Sequence, residues 1–89
     1  MAKFTAVITD KVGLHARPAS VLAKEASKFI SGITIIAGEK KGNLKSIMNI
    51  MAMAIKTGTE VTIEADGSDA DAAIEAVKKA MVESGLIEG

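Results

Sequence analysis

Glu60-Val61-Thr62-Ile63-Glu64-Ala65-Asp66 alternates polar and apolar side chains without a break. A two-residue period puts Val61, Ile63 and Ala65 on one face of a strand, and Thr62 and Glu64 on the other. One face of the sheet is then buried, and the other is wet or lightly covered, as antiparallel sheets allow. Phe4, Ala6 and Ile8 alternate with Thr5, Val7 and Thr9 in the same way. Ile33 to Ala37 is rich in β-branched residues, and Gly38-Glu39 supplies a tight turn into a short strand near Lys40 to Asn43.

Between these strands the period changes. Ala19, Leu22, Ala23, Ala26 and Phe29 recur at three- and four-residue spacings, which predicts one helical face over Ala16 to Phe29, ended by Gly32. Ser46 is a good N-cap for a second helix, Ile47 to Lys56, with Gly58 to terminate it. Ser68 or Asp69 caps a third, whose apolar stripe is Ala73, Ile74, Val77, Ala80 and Met81, and Gly85 closes it. The order βαββαβα predicts an α+β fold, an open-faced two-layer sandwich with three helices on the buried face. Two split βαβ units interlock when strand four lies between strands one and two. The expected sheet is four-stranded and antiparallel in the order 1-4-2-3.

The 89 residues suit one domain spanning 1–89, without a deep catalytic cavity. Eleven basic and eleven acidic residues cancel, and Phe4 and Phe29 are the only aromatics. A nucleic-acid binder would carry a basic excess and stacking rings. There is no cysteine, which suits a reducing compartment. Met1 to Asp10 lacks the apolar core of a signal peptide. Ile47 to Ile55, the longest apolar stretch, is interrupted by Asn49 and falls well short of the about 20 residues that span a bilayer. A cytoplasmic protein, monomeric and without membrane insertion, is expected.

His15 is the only histidine, in Gly13-Leu14-His15-Ala16-Arg17-Pro18-Ala19, between a strand and a helix. It falls at or near the helix N-cap, which prefers Ser, Thr, Asp or Asn, and such a local conflict marks functional sites. The first-turn N–H groups of Ala16 and Arg17 lack intrahelical partners and favour an anion. Pro18 initiates the helix at little cost. Arg17 adds a fixed charge and a donor fork suited to phosphate oxygens. Neutral imidazole is a competent nucleophile near pH 7. Zinc would need more ligands than one histidine supplies without cysteine. No nucleophile-elbow or Walker-type glycine loop is present, so neither a hydrolase triad nor a P-loop nucleotide site is expected.

Lys45-Ser46-Ile47-Met48-Asn49-Ile50-Met51 opens a methionine-rich helix. Either the whole helix is buried, or Ile47, Met48 and Met51 form an exposed patch for partner proteins, for which methionine is adaptable. Lys24 and Lys45 would rim such a patch and meet acidic residues, or are ordinary solvated lysines.

The two motifs resemble the active-site signature and the regulatory serine motif of HPr, the histidine-containing phosphocarrier family of the bacterial phosphoenolpyruvate:sugar phosphotransferase system. The similarity runs over essentially the whole chain. It implies a stoichiometric carrier without a cofactor, not an enzyme. It implies that His15 takes phosphate on Nδ1 from enzyme I and passes it to IIA units of sugar permeases, assisted by Arg17. Lys24, Lys45, Ile47, Met48 and Met51 match the family's docking face. Ser46 matches the serine phosphorylated by HPr kinase/phosphorylase in some lineages, with a transcriptional regulator as a further partner. A regulatory module acting through Ser46 and a nitrogen-pathway relative are the alternatives. Many relatives carry glycine where this chain has Ala54.

Overall fold

The computed structural model describes residues 1–89. The elements are β1 (Ala2–Val7), α1 (Ala16–Ala26), β2 (Gly32–Ala37), β3 (Lys40–Asn43), α2 (Ile47–Ala52), β4 (Glu60–Asp66) and α3 (Ala70–Glu83). They form one four-stranded sheet in the order β1-β4-β2-β3, with every neighbouring pair antiparallel.

Register follows the alternation of β4. Ile63 stands opposite Phe4 on one side and Ile35 on the other. Val61, Ile63, Ala65, Ile33 and Ile35 are buried beneath the helices. On the open face, Thr62 lies opposite Thr5, and their hydroxyls meet at 3.1 Å. A one-residue slip would send every core side chain of β4 into water, so the pattern pins the register. Above the sheet, α1 supplies Ala19, Leu22, Ala23 and Ala26, and α3 supplies Ala73, Ile74, Val77, Ala80 and Met81. The alanines let the two helices approach closely. The short α2 buries only Ile50.

Three expectations about helix ends need correction. The first helix stops at Ala26 rather than Phe29, because the Ser27 hydroxyl turns back to donate to the Ala23 carbonyl at 2.7 Å. Lys28 and Phe29 then donate to carbonyls three residues back, which tightens the chain out of the helix. The second helix stops at Ala52, not Lys56, so Gly58 does not terminate it. Ile55 is buried and its carbonyl accepts the Leu14 N–H at 2.9 Å, so the chain must leave the helix before it. Ala54 makes that exit at φ 50, a left-handed conformation that costs a non-glycine residue about 1–2 kcal/mol. Asp69 is the N-cap of α3, but its side chain makes no cap bond there. The carboxylate accepts instead from the N–H groups of Ile30 (3.0 Å) and Ser31 (2.9 Å) and from the buried Ser31 hydroxyl. It thereby ties the β2 approach to the start of α3.

Candidate functional site

The segment from Ile8 to Leu14 is fastened at both ends. Ile8 donates to the Thr59 carbonyl at 2.9 Å and accepts from Gly58 N–H at 2.7 Å. Thr9 N–H donates to the Leu86 carbonyl, just beyond α3, at 2.9 Å. Asp10 then folds the chain. Its Oδ1 accepts the Val12 N–H at 2.8 Å, an Asx turn, and its carbonyl accepts the Gly13 N–H at 3.0 Å. Gly13 has φ 86, and a Cβ there would lie 2.6 Å from the Ile55 carbonyl oxygen. Only glycine fits this approach, and it delivers Leu14 to its bond with Ile55 and His15 to the helix start.

His15 is the N-cap of α1, with extended backbone (φ −99, ψ −173) and no side-chain cap bond. Its carbonyl accepts the Ala19 N–H at 3.0 Å. The N–H groups of Ala16 and Arg17 have no protein acceptor, and Pro18 removes the next donor of the first turn. Two backbone donors and the positive end of an eleven-residue helix therefore face outward beside the imidazole. Arg17 is exposed and makes no ion pair or side-chain hydrogen bond, so its guanidinium is free to meet an anion.

Sequence reasoning missed Asp10. Its Oδ2 lies 3.7 Å from His15 Nε2, with the imidazole 37% and the carboxylate side chain 20% exposed. The available signal was an Asp followed three residues later by a glycine, an Asx-turn pattern that doubles the loop back towards His15.

The methionine-rich helix is largely exposed. Met48 is 82%, Ile47 43% and Met51 41% exposed, so the wholly buried alternative fails. Ile47, Met48, Lys45 and Ser46 line one wall of a groove whose other wall is Ser20, Ala23, Lys24 and Ser27 from α1 and its end. Arg17, Ser20, Val21 and Lys24 share one helical stripe, which runs from the histidine to this groove. Val21 and Val12 are also exposed apolar residues that the sequence reading left out. Lys45 is only half a rim cation, since its Nζ donates to the Phe29 carbonyl at 2.7 Å. Ser46 caps α2 as expected, its Oγ accepting from Asn49 N–H and Asn49 Nδ2, each at 3.2 Å.

The family model described as the PTS HPr component phosphorylation site matches residues 2–83. The chain is 78% identical over all 89 residues to the phosphocarrier protein HPr of Mycoplasma capricolum subsp. capricolum, covering 100% of both. A solved histidine-containing phosphocarrier protein of Mycoplasma superposes with a TM-score of 0.98 at 77% identity, covering 99% of this chain and 100% of that one. The phosphocarrier protein HPr of Bacillus anthracis gives a TM-score of 0.81 at 42% identity, over 89% of this chain and 94% of that one. The chain belongs to the HPr family, the phosphocarrier component of the phosphotransferase system. It carries phosphoryl groups and is not itself a catalyst.

Proposed function

We propose that His15 is the phosphoryl acceptor. In this reading the chain receives phosphate on Nδ1 from phosphorylated enzyme I and delivers it to IIA units of sugar permeases. The unfilled α1 start carries the proposal: a nucleophilic ring, two unpaired N–H donors and the free Arg17 guanidinium lie on one exposed edge. Ala16 and Arg17 N–H would hold phosphoryl oxygens, and Arg17 would offset their charge during transfer. No helix is long and apolar enough to cross a membrane. In this reading the chain is a cytoplasmic monomer that shuttles between partners.

Enzyme I and the IIA units dock in turn on one face, made of Ile47, Met48 and Met51 with Lys24 and Lys45 at its rim. The exposure of Met48 supports this, because a face left open in the free protein is what successive partners require. Ser46 lies in the same groove as Ile47 and Met48. Phosphorylation of Ser46 by an HPr kinase/phosphorylase would place about −1.5 to −2 charges within that face. The charged face would turn away enzyme I and offer a new surface to a transcriptional regulator.

Incubation with phosphoenolpyruvate and enzyme I tests the central reading. One acid-labile phosphate per chain is expected, and none on His15→Ala. Absence of phosphate from the parent chain, or its persistence in the variant, would overturn it.

A further inference from the structure

We infer that Asp10 is a positioning residue for His15, holding the imidazole in the tautomer that leaves Nδ1 free to attack. The inference rests on the reading of His15 as the phosphoryl acceptor and concerns how that acceptor is prepared.

The geometry runs back through three supports. Leu86 is fully buried, and its carbonyl accepts the N–H groups of Thr9 (2.9 Å) and Asp10 (3.4 Å). The end of α3 thus fixes the backbone of Asp10. The Val12 N–H at 2.8 Å then occupies Oδ1 and sets the carboxylate plane. Oδ2 is left as the free acceptor, and it is the oxygen 3.7 Å from His15 Nε2. That separation is an ion-pair distance slightly beyond a hydrogen bond, a gap that commonly tightens when a catalytic group engages its partner. Glycine at position 13 keeps the intervening turn tight enough for the two side chains to meet.

A carboxylate accepts and never donates when ionised, so it favours a proton on the nitrogen that faces it. With Nε2 protonated, the Nδ1 lone pair is bare. In the transfer step, this lone pair forms the new nitrogen–phosphorus bond. The bond between phosphorus and the donor's leaving atom breaks, and its electron pair stays on the donor. The Nε2 proton does not move. The ring therefore takes on positive charge as the bond forms, and the Asp10 carboxylate faces that charge from the opposite ring edge. Onward transfer reverses the step and returns a neutral imidazole. This is the orienting role that a carboxylate plays behind the catalytic histidine of enzymes.

Two variants separate this role from the turn. Asp10→Asn keeps an acceptor for the Val12 N–H but turns an amide donor towards Nε2, which favours the Nδ1-protonated tautomer. Asp10→Ser retains a turn-forming oxygen and removes the charge. The first readout is nitrogen NMR of the unphosphorylated imidazole, and the second is the kinetics of phosphoryl transfer from enzyme I. Asp10→Asn should shift the tautomer population towards Nδ1–H. Both variants should lower kcat by about fivefold, the upper range for a part-exposed ion pair, with KM near the parent value. An unchanged tautomer ratio in Asp10→Asn, or parent kcat in both variants, would overturn the inference. A parent chain that takes up no phosphate would overturn the reading of His15 instead, and the NMR arm would still report on the Asp10 contact.

Discussion

At the start of α1 the N–H groups of Ala16 and Arg17 have no protein acceptor, whereas at the start of α2 the Ser46 hydroxyl takes the Asn49 N–H at 3.2 Å. Both leave a loop with extended backbone at the N-cap. They differ in the cap residue. Serine fills its own helix start, while histidine leaves one open and places a ring beside it. At α1, two first-turn donors are left without a protein acceptor. At α2, the protein's own oxygen takes a first-turn donor, so in the proposed function a phosphate there would be an added charge on a face and not a transferred group.

Replacing His15 with the residue type that closes α2 breaks the contrast most severely. His15→Ser should abolish phosphate uptake from enzyme I, because the proposed nucleophile is gone. The new hydroxyl has the Arg17 N–H as its target, since Pro18 offers none. A gained cap of about 0.5–1 kcal/mol corresponds to a Tm rise of roughly 2–8 °C for a domain of this size. Calorimetry and phosphate analysis check both halves. A lower Tm would show that the ring itself stabilises the helix start.

Arg17→Ala leaves the open start in place and removes its cation. Transfer should slow by about 30- to 150-fold in both directions, the effect of losing a charge-assisted hydrogen bond worth roughly 2–3 kcal/mol at the moving phosphoryl group. The Tm should stay within a degree or two, because the side chain is exposed and makes no hydrogen bond or ion pair. Rapid-quench kinetics at the parent rate would reduce Arg17 to a surface charge.

Ser46→Asp sharpens the comparison from the other side. Aspartate caps as well as serine, so the Tm should hold or rise slightly. The charge would enter the groove beside Ile47 and Met48, and a partner acidic enough to meet Lys24 and Lys45 would lose affinity. Binding of enzyme I should weaken by about tenfold, equivalent to roughly 1.4 kcal/mol, because the charge sits at a part-exposed rim and is not fully desolvated, with kcat near the parent value. Titration showing parent affinity would remove α2 from the docking surface.

The strands and the histidine were legible in the sequence because each rests on local information, whereas the order 1-4-2-3 followed only from interlocking two split βαβ units. Val61, Ile63 and Ala65 mark their face by period, and His15 stands out as a poor cap before Pro18. The end of α2 was not legible, because a partner far along the chain decides it. α2 stops where Ile55 must bury its side chain and give its carbonyl to Leu14. Asp10 escaped notice for the same reason: its meaning arises only when an Asx turn and the Leu86 carbonyl fold it against His15. Lys45 read as a free cation until the Phe29 carbonyl claimed one of its donors.

A third helix start, that of α3, supplies the control. Asp69 is an N-cap by position, yet its carboxylate serves a neighbouring loop. The hydrogen bond from the Ser31 hydroxyl, followed by that from the Ile30 N–H, holds its carboxyl below the usual value of 3.8, and the Ser31 N–H adds to this. An acid whose folded pKa is depressed stabilises the fold above its unfolded pKa. That contribution fades as pH falls through 3.8 and is lost below the lowered folded value. Between neutral pH and about pH 5 the contribution should be constant, so Asp69→Asn should lower the Tm by a similar few degrees across that range. Below pH 4 the parent should lose Tm faster than the variant, and the two melting curves should converge. Phosphoryl transfer from enzyme I should be unchanged, since Asp69 makes its bonds to Ile30 and Ser31 and none to the His15 loop. A variant with parent Tm at neutral pH would mean that the clamp contributes nothing. A stable variant with slowed transfer would mean that the α3 start is coupled to the open start of α1, and that the two helix ends do not act independently.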